Sequence, residues 1–225
     1  MNIYGDHGNV LTLQKRLQWH GYNPQIIEYN HGDKFPDNVD IVVGGGGQDS
    51  GQNKIQKDLL SIGPRLIELA EKGVPMLMIC GLYQLFGKFF KTFDGETIEG
   101  IGLLNIETYG KSERLIGNIV THSEQFGDII GYENHSGQTF LGHQVSSLGI
   151  VRVGAGNNLV DISEGVRYKN VIGSYLHGSL LPKNPNIADF IIEQAVINKY
   201  GKFTGKKIED KYSQLARKIA LKRPR

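Results

Sequence analysis

A three-layer α/β/α sandwich around a mostly parallel central sheet is the α/β fold the sequence predicts, and three observations predict it. Short β-branched runs alternate with helical patterns through the first 90 residues, the rhythm of strand–helix–strand units. Residues 74–80, VPMLMIC, hold six apolar or thiol side chains and one proline; an unbroken apolar run of that length suits a strand buried on both faces of a parallel sheet. Thirty glycines in 225 residues point to many tight turns and close backbone approaches.

The elements follow in order. Val10, Leu13 and Leu17 mark one face of a helix closed by Gly21, because i, i+3 and i+7 share a face at 3.6 residues per turn. Gln25–Tyr29 (QIIEY) and Val39–Val43 (VDIVV) read as short strands, and a glycine loop, GGGGQD, follows at residues 44–49. Residues 54–72 carry a helical pattern that Gly63-Pro64 is expected to break or kink, since proline removes an interior N–H and clashes with the preceding turn. After the strand at 74–80, Gly81 opens a short amphipathic run. Beyond Gly95 the texture changes. IGLLNIETYG, RLIGNIVTH, DIIGYENHSGQTFLG and GIVRVGAGNN read as separate short strands with glycine turns, a β-rich second half of one domain. Helical signal returns only at residues 186–200, NIADFIIEQAVINKY.

Composition narrows the class. Hydrophobic residues at 39% and charged residues at 21% suit a soluble globular chain large enough to bury a core. No apolar run is long enough to span a bilayer. The first ten residues lack a basic flank followed by an apolar stretch, so no secretory leader is expected. A single cysteine rules out an internal disulfide and suits a reducing, cytoplasmic setting. Residues 206–225 hold eight Lys or Arg against Glu209 and Asp210, a net +6 that leaves −4 for the rest of a chain at +2. Such a tail can contact nucleic acid or a membrane. Ile208, Tyr212, Leu215 and Ile219 recur at helical spacing, so a docked amphipathic helix accounts for it without either partner. The division expected is a main domain at 1–203 and a basic tail or helix at 204–225.

The lone cysteine, Cys80, sits where the apolar strand turns into a helix. A residue there projects from the carboxyl edge of the sheet, where open α/β folds bind ligands, and it faces the positive end of the next helix, which favours a thiolate. A small buried hydrophobe is the alternative fate of a free cysteine. VIGSYLHGSLLP, residues 171–182, is a second apolar strand that ends in His177. Thiol and imidazole at neighbouring strand ends make an activated nucleophile, with His7, His20, His31, His122, His135 and His143 as competitors. The glycine loop lacks the Lys-Ser/Thr of a phosphate loop, having Gln52-Asn53 instead. Its amides, at Gly46 and Gly47, together with that of Leu82, suit a developing oxyanion.

At these residues the chain resembles class I glutamine amidotransferases of the cobyric acid synthase type, and within them the glutaminase subunits of bacterial lipid II isoglutaminyl synthases. The stretches that carry the likeness are YGDHGNV (4–10), GGGGQD (44–49), ICGLYQL (79–85), ERLIGNI (113–119), GYENHSGQTFL (131–141) and GVRYKNVIGSYLHG (165–178). The resemblance implies that Cys80 is the nucleophile and His177 its base, and that Arg114 holds the α-carboxylate of glutamine; a guanidinium fork grips a carboxylate bidentately. It also implies that this chain carries no cofactor or metal and takes glutamine as substrate. A Mur-ligase-like partner subunit would complete a heterodimer, bind ATP and Mg, and reach lipid II, so that ammonia made here amidates D-glutamate of the stem peptide in peptidoglycan synthesis. Neither nucleic acid nor a membrane span is part of that picture. Leu82 stands where a second glycine usually follows the cysteine, and Gly178-Ser179 after His177 replace the x-Glu of the wider triad, which leaves the group that orients the imidazole open. A cobyric-acid-type or other acceptor, and a catalytically silent binding module of the same fold, are the rival readings.

Overall fold

The computed structural model describes residues 6–47 and 49–223, and for Asp49, Ser50 and Asn53 the backbone alone. Tyr4-Gly5 of the first motif, Gln48 of the glycine loop and Arg225 of the tail lie outside the described residues. In chain order the elements are α1 (His7–His20), β1 (Val42–Gly44), α2 (Asp49–Glu71), β2 (Met76–Ile79), α3 (Gly81–Leu85), β3 (Phe89–Lys91), β4 (Thr97–Glu99), β5 (Ile106–Ser123), β6 (Gly127–Leu141), β7 (Gly149–Val153), β8 (Ser163–Glu164), β9 (Val166–Tyr168), β10 (Val171–Ser174), α4 (Leu180–Lys183), α5 (Pro185–Tyr200) and α6 (Lys211–Ala220).

The central sheet runs β1-β2-β10-β9, with β1, β2 and β10 parallel and β9 antiparallel at the edge. Met76 faces Val42 on one side and Val171 on the other, and Ile79 pairs with Ser174. All four residues of β2 are buried, as an apolar run between two neighbours and two helical layers should be. On one side α1 packs against α4 and α5, and on the other α2 meets α3. Ile187, Ala188, Ile191, Ile192, Ala195 and Val196 form the buried stripe of α5; full burial of each aliphatic side chain is worth about 1.5–3 kcal/mol.

The second sheet, β4-β3-β5-β7-β8 with β6 on β5, is built around one long hairpin. Two runs that read as separate strands form a single strand, β5, whose register against β6 shifts between Gly110 and Leu115. A bulge absorbs the polar interruption KSER without ending the pairing. The two sheets are stitched at two isolated bridges, Tyr132 to His177 and Ser146 to Arg167.

Four further expectations meet a different structure. Gln25–Tyr29 is irregular, not a strand: Tyr29 turns its hydroxyl to Asp58 Oδ2 at 2.9 Å and sets its ring edge-on to Phe35, so packing over α2 outweighs β-propensity. Of VDIVV only Val42 and Val43 pair. Pro64 lies inside α2, which continues past it to Glu71; burial of Leu59, Leu66, Leu69 and Ala70 outweighs the missing backbone bond. The tail forms α6, yet none of its residues is buried, and Tyr212, Leu215 and Ile219 face outward. It is held by polar contacts rather than by its apolar stripe. Among the described residues no helix is long and apolar enough to cross a membrane.

Candidate active site

Parallel pairing decides what meets what. Because β1, β2 and β10 are neighbours running the same way, the residues that follow each strand emerge at one rim: Gly46 and Gly47 after β1, Cys80 after β2, His177 after β10. That rim is where ligands sit in open α/β sheets.

Cys80 leaves β2 with φ 51° and ψ −105°, a conformation that costs a non-glycine residue of order 1–3 kcal/mol. The surroundings impose it. Its N–H donates to Ser174 O at 2.9 Å, continuing the ladder, while its carbonyl accepts from Gln84 N–H and so opens α3. The result is a sharp strand-to-helix turn that presents the side chain at the rim, as in nucleophile elbows. Cys80 is buried, at 8% exposure.

His177 is 1% exposed. Its N–H donates to Tyr132 O at 2.7 Å, and its carbonyl accepts Lys183 Nζ at 3.3 Å. Gly46 lies between the two: a Cβ built there would stand 2.9 Å from His177 Cε1, 3.3 Å from Cys80 Cβ and 3.4 Å from Asp6 Oδ2. The sequence-predicted cysteine, histidine and glycine therefore come together around one point, which only a glycine can occupy.

Asp6 completes that point, and sequence reasoning did not single it out. Its Oδ2 accepts the N–H of Gly46 at 2.7 Å, and its Oδ1 lies 3.5 Å from His177 Nδ1. The Gly46 amide, expected to face an oxyanion, is thus engaged by a carboxylate. Gly47 follows, half-buried, and Leu82 sits in the first turn of α3 with its side chain against Gly44. The motif around Asp6 is built for this approach. Gly8 lets α1 come within side-chain contact of Ser179, and Asn9 Oδ1 accepts Leu181 N–H at 2.9 Å, so the start of α1 is fastened to the turn just after His177. An Asp ahead of a helical pattern reads as an N-cap, which is why the sequence signal was a structural one.

Behind the rim lies a buried polar floor. Gln52 donates to Gln84, Gln84 to Tyr175 Oη, and Tyr175, Thr139 and Thr108 share hydroxyl contacts at 2.7 Å. His135 stacks flat on Tyr175 at 3.6 Å. Burial pushes its imidazole down to about 3, so it stays neutral, and its Nδ1 gives a proton to Gly137 O at 2.7 Å. Glu164 is buried beneath the exit of β10. Its Oε1 accepts Tyr175 N–H and Ser174 Oγ–H, and burial, with a smaller push from Glu133, raises it to about 8.

Of the other histidines, His7, next to Asp6, is exposed, as are His31 and His143, while His20 packs on Phe203 and His122 pairs with Asp128. Arg114 is exposed on β5, its Nε donating to Asn134 Oδ1 at 2.7 Å. Arg114 is among the smaller influences that push the His135 imidazole down, which puts the arginine within electrostatic reach of the polar floor.

A family profile described as the CobB/CobQ-like glutamine amidotransferase domain matches residues 1–185. The chain belongs to that family. It is 40% identical over 224 residues to "Lipid II isoglutaminyl synthase (glutamine-hydrolyzing) subunit GatD" of Staphylococcus aureus (strain N315), covering 99% of this chain and 91% of the relative. The protein of the same description from Streptococcus pneumoniae (strain ATCC BAA-255 / R6) is 39% identical over 204 residues, 89% of this chain and 78% of that one. A cobyric acid synthase of Desulforamulus reducens is 35% identical over half of this chain and a quarter of its own length. Among solved structures, PurLQS from Thermotoga maritima superposes with TM-score 0.58 at 17% identity, over 81% of this chain and 91% of the other. One titled glutamine amidotransferase gives 0.57 at 17% over 82% and 93%. At those identities the structures establish the amidotransferase fold. The region matched by the family holds Asp6, the glycine loop, Cys80, Leu82, Arg114 and His177; α6 lies beyond it.

Proposed function

We propose that this amidotransferase chain is the glutaminase subunit of a lipid II isoglutaminyl synthase. In this reading it hydrolyses the side-chain amide of glutamine and hands ammonia to an ATP- and Mg-using, Mur-ligase-like partner in the cytoplasm. The convergence of Cys80 and His177 around Gly46 carries the chemistry, and the likeness to the two subunits so described, along nearly the whole chain, supports the acceptor.

His177 takes the Cys80 thiol proton, and the thiolate attacks the amide carbon. The tetrahedral oxygen gathers negative charge, for which the amides of Gly47 and Leu82 are the donors; losing one such donor typically lowers turnover about 10²–10³-fold. His177 then protonates the departing nitrogen, so ammonia leaves and a thioester remains. It next takes a proton from water, which cleaves the thioester to glutamate, and returns that proton to the sulfur. Arg114 is assigned the α-carboxylate of glutamine, because a guanidinium fork matches it. Its exposed place on β5 requires only that substrate bridge from it to the rim.

The test uses the chain co-purified with its partner. Cys80→Ala should abolish glutamine-dependent ammonia release and Cys80 labelling by a diazo analogue of glutamine, yet leave the complex able to amidate its acceptor when an ammonium salt is supplied. Ammonia released from glutamine by the Cys80→Ala protein would overturn the assignment.

A further inference from the structure

We infer that α6 is a peripheral membrane contact. The ridge of Tyr212, Leu215 and Ile219 enters the headgroup layer of an anionic lipid surface, and the lysines beside it meet the lipid phosphates. The inference stands independently of the glutaminase reading.

The helix is turned with its apolar stripe away from the body. At 3.6 residues per turn, Ser213, Arg217 and Ala220 fall on one face, and these are the three partly buried positions of α6. Arg217 pins that face to the main domain through Lys183 O, Asn184 Oδ1 and Asp128 O. Tyr212, Leu215 and Ile219 share the opposite face, at 82%, 54% and 54% exposure. A helix that only docked on its own domain would bury such a stripe; here a polar anchor holds it outward. Lys211, Lys218 and Lys222, all exposed, form a row along one edge of the ridge, and exposed Arg223 follows the helix. From Lys211 to Arg223 the sequence has five Lys or Arg and no Asp or Glu.

Size and charge select the occupant. Three side chains offer on the order of a few hundred Å², well short of the roughly 800 Å² per partner that a stable protein interface needs. A convex apolar ridge edged by lysine is the pattern of helices that lie in a membrane interface. Lysine stems can run along the apolar layer while the ammonium groups stay at the phosphates. Residues 206–225 carry +6 of a chain at +2, which leaves −4 for the rest. An anionic surface therefore attracts this end and repels the body, which orients the molecule on it.

The test sediments the full chain, alone and with any synthetase subunit that co-purifies, with two kinds of vesicle. One is an equal mixture of phosphatidylglycerol and phosphatidylcholine, the other phosphatidylcholine only. Binding should be confined to the acidic vesicles and should fall as salt is raised. Each cation near such a surface changes partition about fivefold, so the triple variant Lys211→Gln, Lys218→Gln, Lys222→Gln should bind about 10²-fold more weakly. The double variant Leu215→Gln, Ile219→Gln keeps the net charge and should still bind about tenfold more weakly or worse, a loss that a purely electrostatic contact would not show. All five positions are exposed, so thermal melts should match the wild type. A wild-type chain that ignores acidic vesicles or binds neutral ones equally would overturn the inference, as would either variant binding like the wild type. Vesicle binding by the chain that vanishes in the complex would also overturn it, and would give this face to the partner subunit.

Discussion

Gly46 is where the geometry of the site is most tightly constrained. Its Cα is packed so closely that one methyl group would press on the imidazole, the cysteine and Asp6 together. None of those neighbours has an easy way out. Cys80 is fixed by backbone bonds on both sides, and His177 by the bridge to Tyr132. Gly46→Ala should therefore displace the site rather than the fold. A displacement near 1 Å costs about 10²-fold in rate, so kcat for glutamine is expected to drop by that order, with Tm changed by only a few degrees. Paired kinetics and thermal melts check it; wild-type turnover would mean that the close packing does not set the catalytic geometry. The sequence announced this glycine loop and the cysteine turn because glycine and a lone thiol are conspicuous. Asp6 was hidden because its residue type is common before helices, and its partners, 40 residues away at Gly46 and at His177, are joined to it only by the fold.

Among the elements, those set by continuous patterns were legible and those set by competition were not. The all-apolar β2, the α1 face ending at Gly21 in the left-handed conformation, and α5 formed as their periodicities dictate. The QIIEY run and the break in β5 depended on which neighbour was available, a tertiary matter. The tail shows the same divide. Its period predicted a helix, but α6 is attached through Arg217, which donates to Lys183 O at 2.6 Å, Asn184 Oδ1 at 2.9 Å and Asp128 O at 2.6 Å. Asp210, just ahead of the helix, joins buried Arg16 together with Asp189. Arg217→Ala removes the first anchor. Charged hydrogen bonds contribute about 1.5 kcal/mol or more each, so loss of the three should raise local detachment on the order of 10³-fold while the main domain stays folded. Limited proteolysis should cut the variant between Lys202 and Asp210 well before the wild type. Equal cleavage rates would show that α6 is held some other way.

At the scale of the molecule, two sheets meet where the site is, and Glu164 is a buried acid that helps to join them. It belongs to β8 of the second sheet, yet its carboxyl takes the N–H of Tyr175 and the hydroxyl of Ser174, both at the end of central strand β10. Burial raises it to about 8 from an ordinary 4.5. In the unfolded chain the acid therefore loses its proton near 4.5, while the folded chain keeps it to about 8. Between those values the folded state binds more protons, so the stability due to this group is complete below about 4.5 and declines as pH rises to about 8. Glu164→Gln retains an oxygen for both donors and cannot ionise. Its melting temperature should thus decline less than that of the wild type across this window, with the gap widest near pH 8. One pKa unit is about 1.4 kcal/mol, and 1 kcal/mol moves Tm by roughly 2–4 °C at this chain length, so the curves should part by about ten degrees or more near pH 8. Parallel curves from pH 5 to 8 would mean that Glu164 is ionised in the native protein, and that the joint between the sheets holds a buried charge.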